Sequence, residues 1–151
     1  MIHACVRTDN MSGTLQGKDL VTLRYEKEID NGCVLAIGAH LPGEREVREG
    51  SIPASDAKAI DCALIASEEV LKDKTHNNLK EFYNEADANL RGYRLTSKDV
   101  FSVTKEAFSG APAVGKRVGF DGSSVKWAVV EDGGVGEIIL QEGQWFVVEI
   151  D

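Results

Sequence analysis

From residue 89 onward the chain never runs far without a turn former, and this punctuation constrains the fold more than any other feature. Tyr93 and Leu95 alternate with Arg94, Ser97-Lys98-Asp99 interrupts, and Phe101 and Val103 alternate with Ser102 and Thr104. Runs at 114–120, 125–130, 137–140 and 145–150 come next, separated by Asp121-Gly122-Ser123, Asp132-Gly133-Gly134 and Glu142-Gly143. A two-residue period puts alternate side chains on opposite faces, as in a half-buried strand. Gly, Asp and Ser supply the backbone conformations that reverse the chain between such strands. Short strands at about ten-residue spacing predict a mainly β (α+β) fold, an antiparallel β-barrel or sandwich. No internal repeat accompanies them, which sets aside solenoids and propellers.

The first half is less regular. Residues 1–17 have little apolar pattern and contain Asp9-Asn10, Ser12-Gly13 and Gln16-Gly17, which predicts an irregular N-terminal arm ahead of one β-rich domain over 18–151. Val21, Leu23 and Tyr25 alternate with Thr22 and Arg24, the turn Asp30-Asn31-Gly32 comes after them, and residues 33–37 are expected to return as the second strand of a hairpin. Leu41-Pro42-Gly43 is another breaker, and Pro53 restricts any strand around Ile52 to an edge. The apolar run 59–66 has the length of a buried strand. One short helix is expected between Thr75 and Asn89, where Leu79, Phe82, Tyr83 and Ala86 fall at i, i+3, i+4 and i+7.

At 151 residues the chain has enough length to bury a core in one domain. Its 17 basic and 25 acidic residues give a net charge of -8, and no segment gathers the Lys and Arg that would neutralise several phosphates. Nucleic acid is therefore not an expected partner. No apolar run approaches the ~18 to 20 residues of a membrane span, and the first residues lack the pattern of a secretory signal. Synthesis and retention in the cytoplasm are the expectation. Cys5, Cys33 and Cys62 are expected to be reduced, buried small hydrophobes.

Chemistry finds little to hold. Gly110-Ala-Pro-Ala-Val-Gly115-Lys116-Arg117 comes within one residue of a phosphate-cradling loop, but Arg117 stands where Ser or Thr must hold magnesium. The next residues, Val118-Gly-Phe-Asp-Gly122, read as strand and turn where such a loop requires a helix. His3, His40 and His76 sit at no metal-pair spacing with each other or with Cys. Ser123 lacks the glycine framework of a nucleophile elbow. The pairs Glu68-Glu69, Glu85 with Asp87, and Glu131-Asp132 are what any acidic surface offers. No catalytic, cofactor-binding or metal-binding residue is assigned, and no enzymatic activity is expected.

Several segments, taken in order, carry a resemblance: Asn31-Gly-Cys-Val-Leu-Ala-Ile-Gly38, Gly43-Glu-Arg-Glu-Val47, Phe82-Tyr-Asn-Glu-Ala86, Arg91-Gly-Tyr-Arg-Leu95, Asp99-Val-Phe-Ser-Val-Thr104 and Val114-Gly-Lys116. In order and spacing they resemble a family of small structural proteins encoded beside the major capsid gene in tailed bacteriophages and prophages of Gram-positive bacteria. The resemblance covers about residues 18–130. It implies a capsid decoration, or cement, protein that binds the major capsid protein on the virion exterior. The threefold sites that capsids present make a homotrimer the oligomer to look for. Another virion role, as a head-fibre base or tail protein, is the nearest alternative; a small β-barrel ligand-binding protein or hydrolase is the alternative of a different class. The chain departs from the family pattern at Asp87, where glycine is expected, and in a shorter stretch after Asp132. The arm 1–17 is expected to order on docking to a neighbouring subunit.

Overall fold

The computed structural model describes residues 3–11, 20–43, 45–67 and 83–151. Eleven strands are found among them: β1 (Val6–Asn10), β2 (Leu20–Arg24), β3 (Val34–His40), β4 (Val47–Ser51), β5 (Cys62–Ile65), β6 (Asn89–Arg94), β7 (Val100–Thr104), β8 (Arg117–Gly119), β9 (Ala128–Val130), β10 (Gly136–Glu142) and β11 (Trp145–Ile150). They form a closed barrel in the order β2-β4-β3-β5-β6 and a six-stranded sheet in the order β1-β7-β11-β10-β8-β9. The mainly β reading of the sequence holds, with a barrel and a sheet side by side. All pairings between these strands are antiparallel except β2 with β4, which run parallel.

Two apolar clusters result from alternation within the strands. Leu23, Tyr25, Leu35, Ala63, Ile65 and Leu90 fill the barrel with Cys33. Cys62, Leu64, Val34 and Leu95 point the other way and meet Phe101, Val103, Val118, Ile138, Phe146 and Val148 from the sheet. The run Cys-Ala-Leu-Ile of β5 is therefore apolar throughout because both of its faces are covered, one by each cluster. Trp127 centres the second cluster. Its ring lies 5.5 Å from that of Phe101 and 5.6 Å from that of Phe120, and its indole N–H donates to the Gly32 carbonyl at 3.0 Å. That bond ties the two bodies of the fold together and satisfies the polar end of a fully buried side chain.

Several local expectations are corrected. Asp30-Asn31-Gly32 does turn, with Gly32 at φ 91°, but β2 and β3 do not pair. Asn31 is buried, and its amide serves distant segments. It accepts from Ser67 N and Asn84 Nδ2 at 3.0 Å each and donates to the Ser67 carbonyl at 2.9 Å. The turn is thus fixed by tertiary bonds, and β2 is free to pair with β6 and β4. β4 is also no edge strand, since Pro53 lies two residues beyond its end. The 59–66 run opens with a 3-10 turn (Ala59–Asp61) before β5.

Within the expected arm, residues 6–10 form β1 and pair with β7, with Val6 opposite Val103 and Arg7 opposite Ser102. Cys5 N donates to Thr104 Oγ1 at 3.0 Å, and Met11 is fully buried. A buried apolar anchor at each end of a polar-looking strand overrides its weak pattern. Of the expected helix, residues 83–89 are an isolated bridge at Asn84, a turn and the start of β6. Its first part, with Thr75, Leu79 and Phe82, lies outside the described residues.

Candidate functional surface

Among the described residues, the cysteines and His3 are committed to structure. Burial pushes the Cys33 thiol up to about 12 and the Cys62 thiol up to about 11, with Asp30 and Asp61 respectively adding to the effect. A cysteine nucleophile acts as thiolate, so both stay neutral at ordinary pH. Cys5 is buried as well. The His3 ring sits with Nδ1 2.6 Å from Asp30 Oδ1 and stacks on Tyr83 at 4.9 Å. His40 stands exposed at the end of β3, and His76 lies outside the described residues. No group of three or more His, Cys, Asp or Glu suited to a metal ion occurs among the described residues.

The phosphate-loop lookalike lacks the geometry of one. Gly115 N, which such a cradle would aim at phosphate, donates to the Ile138 carbonyl at 2.8 Å, and Arg117 opens strand β8. Asp121 accepts from Ser123 N and Ser124 N at 2.9 and 3.0 Å, holding its carboxyl below the usual range and closing a local turn. Glu68-Glu69 lies outside the described residues. Glu85, Asp87, Glu131 and Asp132 are all exposed.

Two surfaces stand out among the described residues. The first is a cleft of about 540 Å³ at one mouth of the barrel. β2 and β4 are parallel, so both deliver their C-terminal ends there: Arg24 and Tyr25 from one, Glu49 and Ser51 from the other. Asp87, at φ 59°, closes the rim with its N–H on the Tyr25 carbonyl at 2.8 Å. Arg24 donates through Nε to Asn89 Oδ1 at 2.7 Å. The Tyr25 phenol is raised, by burial first and by Glu26 second. The cleft presents cations and carboxylates together.

The second is the outer face of the six-stranded sheet. Register places Leu140, Val147, Ser102 and Arg7 in one row across β10, β11, β7 and β1, with a groove of about 210 Å³ above it. Arg7 lays its guanidinium over the Trp145 ring, 4.0 Å from the centroid. Glu137 and Glu149 stand directly opposite each other on β10 and β11, a like-charge pairing that disfavours the sheet. Arg117, beside Glu137 on β8, is engaged by the Asp151 carboxylate and the Gly133 carbonyl.

Ile139 and Leu140 are exposed at 42% and 47%, where a bulge between Ile138 and Leu140 breaks the alternation. The signal for this surface is in the sequence: Ile138-Ile-Leu140 is one apolar residue too many for a strand covered on one face. Arg7 is hidden inside a segment whose pattern predicts irregular chain.

No family model, curated protein or solved structure matches the chain.

Proposed function

We propose that this chain is a non-enzymatic structural component of a phage virion, a decoration protein that binds the major capsid protein on the exterior of the head. The observation that carries the reading is the ordered set of segments from Asn31 to Lys116 that resembles such proteins. Physical properties support it. Glue between capsid subunits needs surface, charge and repetition, not a reactive group: modest contacts at many copies become strong through avidity. Among the described residues the reactive side chains are buried, bonded or solvated, while the outer sheet face carries exposed apolar side chains beside an aromatic ring. A net charge of -8 sets the chain against packaged nucleic acid and in favour of the outside of the shell.

The test is uptake by heads assembled without this protein. The purified chain is expected to cosediment with them to saturation and to raise the temperature at which they rupture. Heads that leave it in the supernatant would overturn the reading. A second class of protein, a ligand-binding barrel, is favoured only by the barrel-mouth cleft. Saturable binding of a small molecule, lost in Arg24→Ala, would support it.

A further inference from the structure

We infer that the open side of β10, residues 139–142, is a strand-addition site that takes an extended segment of a partner protein carrying alternating apolar and basic side chains. The proposal rests on the virion reading only for the partner's identity; the site itself rests on geometry.

β8 covers β10 only at Gly136 and Glu137, and the pairing ends with Ile138, whose N–H reaches the Lys116 carbonyl at 2.9 Å. β10 runs four residues further, to Glu142. Over those residues β11 lies on one side, and no strand among the described residues lies on the other. Glu142 and Trp145 close a two-residue turn at Gly143-Gln144, with Gly143 at φ 61°. The closing pair of such a hairpin exchanges bonds inward, so strand alternation turns the Gln141 N–H and C=O toward the open side.

Edges are blunted by charge, proline, bulges or brevity. Ile138-Ile-Leu-Gln-Glu142 has no lysine or proline and one carboxylate at its end, and its bulge leaves Ile139 and Leu140 in solvent. Val114, 55% exposed, lies beside Gly115, which bonds the Ile138 carbonyl. A strand edge with no partner strand among the described residues, flanked by three exposed apolar side chains, fits the mode in which an added strand supplies main-chain bonds and alternate side chains fill pockets.

Charge selects the occupant. Glu142, exposed, lines the groove at the open segment of a chain with a net charge of -8, while the groove's own cation, Arg7, is engaged by Trp145. Lys or Arg from an added strand compensates that carboxylate. A second copy of this chain, itself at -8, is repelled at long range.

The probe is a fluorescent seven-residue peptide of alternating Lys and Val, titrated with the full chain and read by anisotropy. A Glu-Val peptide is the charge control. The Lys-Val peptide is expected to bind and the Glu-Val peptide not to. Gln141→Pro removes an N–H outside the β11 ladder and is expected to weaken binding about tenfold or more. Leu140→Lys, which leaves the backbone intact, is expected to do likewise, and Ile60→Lys, at an exposed apolar position elsewhere, to change nothing.

Failure of the Lys-Val peptide to bind, or equal binding by all variants, overturns the site. So does self-association abolished by Gln141→Pro, which would make the occupant a second copy. Peptide binding as expected with no uptake by heads defeats the virion reading and leaves the site. Undiminished uptake of Gln141→Pro by heads defeats the head as the source of the added strand and leaves the virion reading.

Discussion

Asp87 holds φ at 59°, in the left-handed region that glycine enters without a steric penalty. Asp87→Gly is expected to leave stability within about 1 kcal/mol of the parent, because relief of strain offsets added freedom in the unfolded chain. Asp87→Val is expected to cost about 1–3 kcal/mol, since a β-branched side chain tolerates this region poorly. Urea midpoints of the two variants check the contrast, and equal midpoints would refute it.

Cys33 makes a pH prediction at the same scale. Its thiol rises from an ordinary 9.0 to about 12 in the fold, so above pH 9 the unfolded chain loses a proton that the folded chain keeps. The contribution is fully present below that range and falls as pH climbs toward about 12. Denaturant midpoints at pH 7, 9 and 11 should decline over the upper interval, and Cys33→Ala should decline less. That the cysteines are buried is legible from their apolar neighbours; that Cys33 faces the barrel while Val34 faces the sheet needs the topology.

Strands and turns are legible wherever alternation and turn formers agree, as in β7 and β11. Pairing is not. Residues 96–99 turn as expected, with Asp99 accepting from Thr96 N and Oγ1 at 3.0 and 2.9 Å, yet they carry the chain from the barrel (β6) to the sheet (β7). A local pattern sets period and reversal; which strand lies alongside is set by clusters distant in sequence. β1 shows the same limit from the other side. Its pattern is weak, but Cys5 N on Thr104 Oγ1 and the buried Met11 bind it in place. Deleting residues 1–11 is therefore expected to destabilise the whole chain, seen as a lowered melting temperature. A loose, dispensable arm would leave that temperature unchanged.

For the whole molecule, a net charge of -8 and the proposed basic partner segment together predict electrostatically steered association. Uptake by heads is expected to slow as salt rises from low to physiological concentration, in step with a Debye length falling from about 30 to about 8 Å. Stopped-flow light scattering across that range checks it, and a salt-independent rate would point to purely apolar docking. The β-barrel and sheet are foreseeable from composition and punctuation; of the exposed stretch of β10 the sequence carries only the surplus apolar residue in Ile138-Ile-Leu140, because exposure depends on where β8 stops.

A chain that works by covering capsid surface has to be present in many copies. The most direct measurement is its copy number in purified virions by quantitative mass spectrometry, set against the major capsid protein. The decoration reading predicts a fixed ratio of the same order as the number of capsid subunits. Absence from the particle, or a count confined to a single vertex or tail, would contradict it.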